Sequence, residues 1–368
     1  MNYPPPSGHP GSGQPWPPQG PWQPEGQWYA PPPKGGAGWK WVLGAVALLA
    51  IVGVTVVVTV AVIGEDEESG APSASSPRTS SEPTSDVASA NDTGPVAIIT
   101  EEPTCAPVRP ILIVFSDAQQ NGWDRRDASI PASGWTHEVR VQYEEVGDAM
   151  RETADRLVPM VKLTPHRVVR ELYEQMIAYL RAYAQAIPRY RPADDFLARS
   201  GNAAADAISN ICKSIEYGAA AARARMVTPL AAPEVLAPVG DIANPQRLLT
   251  EIDPVCAEWA DAVSEFQRDA AAWGTTSPDI PASQWSSEQR ALNDQVMPVM
   301  QTFADRLVAL GQRTSNPTLR DFAELSALYR SAYIEAIPTY MPADQYLTAA
   351  SIRIAGVVNA ACKALTNN

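Results

Sequence analysis

A shift of 150 residues lays 123–213 of this 368-residue chain onto 273–363 without a gap. Ile130–Trp135 (IPASGW) meets Ile280–Trp285 (IPASQW), and Ala154–Val158 and Ala304–Val308 both read ADRLV. Ala186–Asp194 (AIPRYRPAD) meets Ala336–Asp344 (AIPTYMPAD). About a third of the aligned positions are identical. Trp123 falls on Trp273, Cys212 on Cys362 and, one residue out of step, Cys105 on Cys256. A period this long marks a duplicated domain rather than a solenoid unit. Any fold proposed for the first copy must therefore also suit the second.

Both copies read as helical. Met300, Phe303, Ala304, Leu307 and Leu310 form an apolar stripe at helical spacing, and Val146, Met150, Thr153, Leu157 and Met160 repeat it in the first copy. Leu172, Tyr173, Met176, Tyr179, Leu180 and Tyr183 form the next stripe. Thr164-Pro165 and Asn316-Pro317 place a capping side chain before a proline at the first helical position. Pro192 and Pro342 open the last helix of each copy, and Pro188 and Pro338 close the one before it. These signals predict helices near 106–121, 136–162, 165–187 and 192–217, and again near 254–273, 286–312, 317–337 and 342–365. Pro107 and Pro110 interrupt the first, where Ile111–Phe115 could instead be extended. The expected fold is all-α, with two tandem four-helix-bundle-like repeats at 105–217 and 251–368. In the linker, 218–250, Ala219–Ala224 can prolong the preceding helix, and Pro229, Pro233, Pro238 and Pro245 keep the rest irregular.

Each copy has one cysteine before its first helix and one near the end of its last. In an up-down-up-down bundle those two ends lie on the same side. Four cysteines allow three pairings, and the duplication selects Cys105–Cys212 with Cys256–Cys362. Such bonds belong to an oxidising compartment.

The segment before the repeats has a different composition. Val42–Ile63 runs 22 residues without a charge, about 33 Å as a helix and enough to cross a bilayer core. Trp39 and Trp41 sit at its start, Lys34 and Lys40 precede it, and Glu65, Asp66, Glu67 and Glu68 follow it. We read 39–63 as one transmembrane helix with a cytoplasmic N-terminus and the repeats outside the plasma membrane. A cleaved signal peptide would have a shorter core nearer the N-terminus. Thr55 and Thr59 make one small-xxx-small pair, a candidate homodimer contact beside the plainer lipid-facing reading. Residues 1–38 carry 12 Pro and 8 Gly and read as a disordered tail. Trp16, Trp22 and Trp28 recur every six residues, two polyproline II turns, and so share a face that could dock an aromatic-lined groove or lean on the membrane surface. Residues 64–104 hold nine acids and one base among Ser, Thr and Pro and read as a disordered stalk.

Tyr3–Pro6 (YPPP) in a Gly/Trp-rich tail, then Trp39-Lys40-Trp41, a Val/Ala-rich span and an acidic stalk resembles the proline-rich single-pass membrane proteins of mycobacteria and related actinobacteria. The resemblance covers residues 1–104 and is one of architecture. It implies a plasma-membrane protein whose outer domain faces the cell envelope, and it implies no activity.

The search for chemistry yields exclusions. A net charge of −13 disfavours nucleic acid. Three His and four Cys without a CxxC spacing give no metal-site pattern. Gly-x-Ser-x-Gly, phosphate-loop and His-Glu-x-x-His motifs are absent. His137 and His166 meet Ser287 and Asn316 in the second copy and read as helix-end residues, while Asp194 and Asp344 suit helix N-termini. No catalytic, cofactor-binding or metal-binding residue is assigned. Trp123, Trp135, Trp273 and Trp285 recur together with Tyr183/Tyr333 and Tyr190/Tyr340. They read as loop anchors or, more sharply, as twin aromatic pockets for a lipid or glycan. The expectation is a non-enzymatic envelope protein that binds or scaffolds an envelope partner. The alternative is a ligand sensor or transport accessory. Equivalent pockets in both copies favour the sensor, and an apolar patch on one copy favours the scaffold.

Overall fold

The first helix of each repeat begins at its cysteine. In the computed structural model, which describes residues 86–366, the first repeat comprises α1 (Cys105–Ala118), α2 (His137–Leu163), α3 (Arg167–Ala186) and α4 (Asp195–Glu216). A short α5 (Ala219–Arg223) opens the linker. The second repeat comprises α6 (Cys256–Asp269), α7 (Ser287–Arg313), α8 (Pro317–Ala336) and α9 (Gln345–Thr366). The described residues contain helices and no strand, as the stripes predict. α1 is helical throughout. Pro107 lies in its first turn, where no backbone N–H is required, and Val108, Ile111 and Phe115 bury one face. Trp16, Trp22, Trp28, Thr55, Thr59 and the apolar run at 42–63 lie outside the described residues. No described helix is long and apolar enough to cross a membrane.

Both predicted disulfides are present, Cys105–Cys212 and Cys256–Cys362, each with a Cα–Cα separation of 5.4 Å. The helix starts follow the capping signals with one exception. Asn316 Oδ1 accepts from Leu319 N at 3.0 Å, so α8 begins at Pro317. At the position of Asn316 the first repeat has His166, which makes no side-chain cap, and Thr164 caps nothing in α3: its hydroxyl donates to Glu102 Oε2 at 2.7 Å and accepts from His166 N at 3.3 Å. α3 instead starts at Arg167, whose N–H is taken by Asp92 Oδ2 at 2.7 Å. Asp194 and Asp344 act at helix starts, accepting from Arg191 N at 2.8 Å and Met341 N at 2.9 Å.

Two boundaries differ from expectation. Residues 86–104 are not stalk, because Val96, Ile98 and Ile99 are buried in the core and Val87 is buried as well. Glu102 is buried too, and it takes Thr104 N at 3.0 Å. Asp253 does the same in the second repeat, accepting from Val255 N at 3.0 Å and Thr314 Oγ1 at 2.6 Å. The duplication thus extends upstream of the cysteines, hidden by the Ser/Thr/acid composition around a short apolar run. The second boundary is Gly218. Its φ of 80° is a left-handed conformation that ends α4 and separates it from α5, so the alanines do not prolong the helix.

The repeats are not separable bundles. Residues from Ser85 onward form one compact unit with a continuous core. α4 packs along α9, and α3 meets α8. The contacts across this seam are reciprocal. Lys213 Nζ lies 5.5 Å from the ring of Tyr346, and Lys363 Nζ lies 5.9 Å from the ring of Phe196, each pair being the other shifted by 150. Arg353 pairs with Asp206 at 3.3 Å, and at the matching place a Cβ on Gly356 would meet Ala203 at 3.5 Å. Such reciprocity is that of an isologous dimer, here within one chain.

Candidate functional site

The tryptophans are fixed internally. Trp123 Nε1 donates to Tyr183 Oη at 3.0 Å, and the Arg126 guanidinium stacks 3.3 Å over its ring. Trp273 Nε1 donates to Asn293 Oδ1 at 3.0 Å. Trp135 and Trp285 donate to Ile130 O at 2.9 Å and Ile280 O at 2.8 Å. Tyr190 and Tyr340 close the same loops, donating to Ala128 O at 2.8 Å and Pro278 O at 2.6 Å. Both aromatic sets therefore hold the loop between the first two helices of a repeat against its second and third helices. Their polar atoms are spent on the fold, and neither set lines the surface hollow between α6 and α7.

Buried charge gathers at the seam. Arg167 Nε donates to Asp321 Oδ2 at 2.6 Å, joining α3 to α8. The same guanidinium reaches Asp92 O at 2.7 Å and Gly94 O at 3.2 Å in the N-terminal arm. Glu171 is fully buried and no donor reaches either of its oxygens in hydrogen-bonding geometry, although Arg170 Nη2 lies 3.5 Å from Oε1. Burial, then repulsion from Asp321, pushes its carboxyl well above the usual range. Burial also raises Glu174 and Glu324 and lifts Asp206 to about 6. Among the described residues, no three His, Cys, Asp or Glu side chains converge on a possible metal site.

The duplication serves as an internal control, because a position that differs between the copies need not be what the fold demands. One difference is on the surface. α1 turns Pro107, Pro110, Ile113 and Val114 to solvent, with Ile113 and Val114 42% and 51% exposed. The same positions of α6 are Glu258, Asp261, Ser264 and Glu265. Glu258 there pairs with Arg313 at 2.6 Å. The first-repeat counterparts of that ion pair are Pro107 and Leu163, and Leu163 is exposed. An outer face that is charged in one repeat is thus apolar in the other.

The other difference is inside. Arg330, fully buried on α8, occupies the position of Leu180 on α3. Its guanidinium lies 4.6 Å from the ring of Phe266 and 5.7 Å from that of Phe303. It donates to the Thr348 hydroxyl, and no acceptor faces its Nε. Burial without a carboxylate neighbour lowers its pKa to about 10. In the first repeat Thr153 and Ala198 replace Phe303 and Thr348. There α4 comes close through Gly201, where a Cβ would stand 2.8 Å from Leu180 Cδ2. The signal was legible in the alignment, as an arginine aligned with an apolar stripe position.

No solved structure matches the chain. It is 53% identical over 335 residues to a protein of Mycolicibacterium smegmatis (strain MKD8) described as uncharacterized, covering 91% of this chain and 88% of that one. A family profile described as Mycobacterial ESX-1 associated protein matches residues 87–367, from the N-terminal arm through α9. Nearly all of the described fold lies within that match, and the chain belongs to the family of mycobacterial ESX-1 associated proteins.

Proposed function

We propose that the protein is a single-pass envelope protein that holds its duplicated, disulfide-closed helical unit outside the plasma membrane as a binding scaffold associated with ESX-1 secretion. The observation that carries this reading is the face of α1 formed by Pro107, Pro110, Ile113 and Val114, with exposed Leu163 on α2 at the position whose second-repeat counterpart, Arg313, pairs with Glu258. Contiguous exposed apolar surface marks interaction sites, and the charged counterpart on α6 indicates that the fold itself does not require it. The uncharged run at 42–63 and the acidic residues after it support the anchor and its orientation. Two disulfides suit an oxidising compartment. The internally closed aromatic sets favour a scaffold over a sensor with twin pockets.

The test installs the second repeat's residues on the first. Ile113→Ser with Val114→Glu is expressed in a mycobacterium lacking its own copy. Protein level and both disulfides should persist while ESX-1 secretion falls. Wild-type secretion from a normally accumulated variant contradicts the reading.

A further inference from the structure

Glu171 and Asp321 hold the same position in the two repeats, and both are buried where α3 meets α8. Asp321 is ionised against Arg167, whereas neither oxygen of Glu171 receives a donor. Two carboxyls that share a buried site resist ionising together, so Glu171 is the one that keeps a proton. The charged groups that face it come from three elements. α3 supplies Arg167, Arg170 and Glu174, with Arg170 Nη1 already committed to Glu174 Oε1 at 2.9 Å. α8 supplies Asp321, with Glu324 and Arg320 behind it. The arm supplies Asp92, which reaches the cluster through Arg167.

Arg167 lies four residues before Glu171 on α3, the spacing at which helical side chains meet. Its guanidinium is shared between Asp321 and the carbonyls of Asp92 and Gly94. Upstream of Asp92 the arm is held by Asp86, paired with Lys162 at 2.9 Å on the surface. The second repeat does without this clasp. Pro317 and Ile242 stand at the positions of Arg167 and Asp92. The linker there is held by neutral amides, Asn316 Nδ2 on Leu248 O at 2.8 Å and Gln175 Nε2 on Gln246 O at 3.2 Å.

We propose that Glu171 and Asp321 form a proton-operated latch on the N-terminal arm. With Glu171 protonated, Arg167 holds the arm. When Glu171 releases its proton to solvent, the second negative charge draws Arg167 off the carbonyls of Asp92 and Gly94, and residues 86–94 come free. Those residues add up to about 30 Å of extended chain between the apolar run at 42–63 and the helices. The latch rests on residues other than the α1 face and stands whether or not that face binds a partner.

Hydrogen-exchange mass spectrometry on the full-length chain tests this from about pH 5 to about pH 9, with intrinsic rates corrected at each step. Peptides spanning 86–94 should exchange about tenfold faster above one pH step than below it. Linker peptides containing Gln246 and Leu248 should show no such step. Glu171→Gln, a neutral stand-in for the protonated carboxyl, should keep the arm protected throughout. No step, an equal step in arm and linker, or a step that survives in Glu171→Gln each overturns the proposal. If the variant does not fold, infrared spectra of the wild type decide. The band of a carboxylic acid without hydrogen bonds should vanish at the pH where the arm loosens, and a band that persists through that step overturns the proposal.

Discussion

Arg167 of the first repeat and Asp321 of the second form a buried ion pair, 2.6 Å from Nε to Oδ2, with side chains only 4% and 2% exposed. The pair ties two halves of a duplicated chain, and the arm residues Asp92 and Gly94 hold the same guanidinium from outside. It adds a charged link to the seam that α4 and α9 form by packing. Arg167→Ala should cost about 3–5 kcal/mol, because it strands the Asp321 carboxylate. Arg167→Ala with Asp321→Ala should lose less than the sum of the single losses. Denaturant titration of the three variants reads this coupling, and strict additivity would show that the pair does not join the repeats energetically.

The buried seam acids make stability depend on pH. Glu171, Glu174, Glu324 and Asp206 all have folded pKa values above their unfolded ones. Such a group contributes most below its unfolded pKa and loses that contribution as pH rises through its folded pKa. For Asp206 the window runs from 3.8 to about 6. Asp127, Glu138, Asp241 and Glu258 shift the other way, but they are exposed and screened. The protein should therefore melt higher at about pH 5 than at about pH 7.5. Glu171→Gln should raise stability by about 1–2 kcal/mol at the higher pH and change little at the lower one. A Glu171→Gln gain that is independent of pH would exclude titration as its source.

The disulfides close segments of 107 and 106 residues, one in each repeat. Replacing either pair with alanines should cost about 2–4 kcal/mol. Because the seam makes one core, each variant should still unfold in a single calorimetric transition, shifted down. A split into two transitions after loss of one bond would show that the repeats fold independently.

The internal repeat made much of this fold legible. It paired the cysteines, and it located helix starts such as Asn316-Pro317, where cap and proline are adjacent in sequence. It did not locate the start of α3, because the group that meets the Arg167 N–H is Asp92, 75 residues away in sequence. The arm was hidden for a related reason. Val96, Ile98 and Ile99 form too short an apolar run to alter the composition of an acidic Ser/Thr segment, and their burial depends on helices formed later in the chain. The aromatic pairs were found as a set, and the structure shows each one spent on closing a loop. The apolar face of α1 and the buried Arg330 are positions where the copies disagree. Identities between the copies report the shared fold, whereas these differences mark what the fold does not require.

A photo-crosslinking residue placed at Ile113, and in a parallel strain at its counterpart Ser264, tests the central claim most directly. Both positions lie on exposed faces of equivalent helices, so the pair controls for accessibility. The scaffold reading predicts that irradiation of living mycobacteria yields a discrete adduct with an ESX-1 component from position 113 and none from position 264. Equal labelling from both positions, or no ESX-1 adduct from position 113, contradicts it.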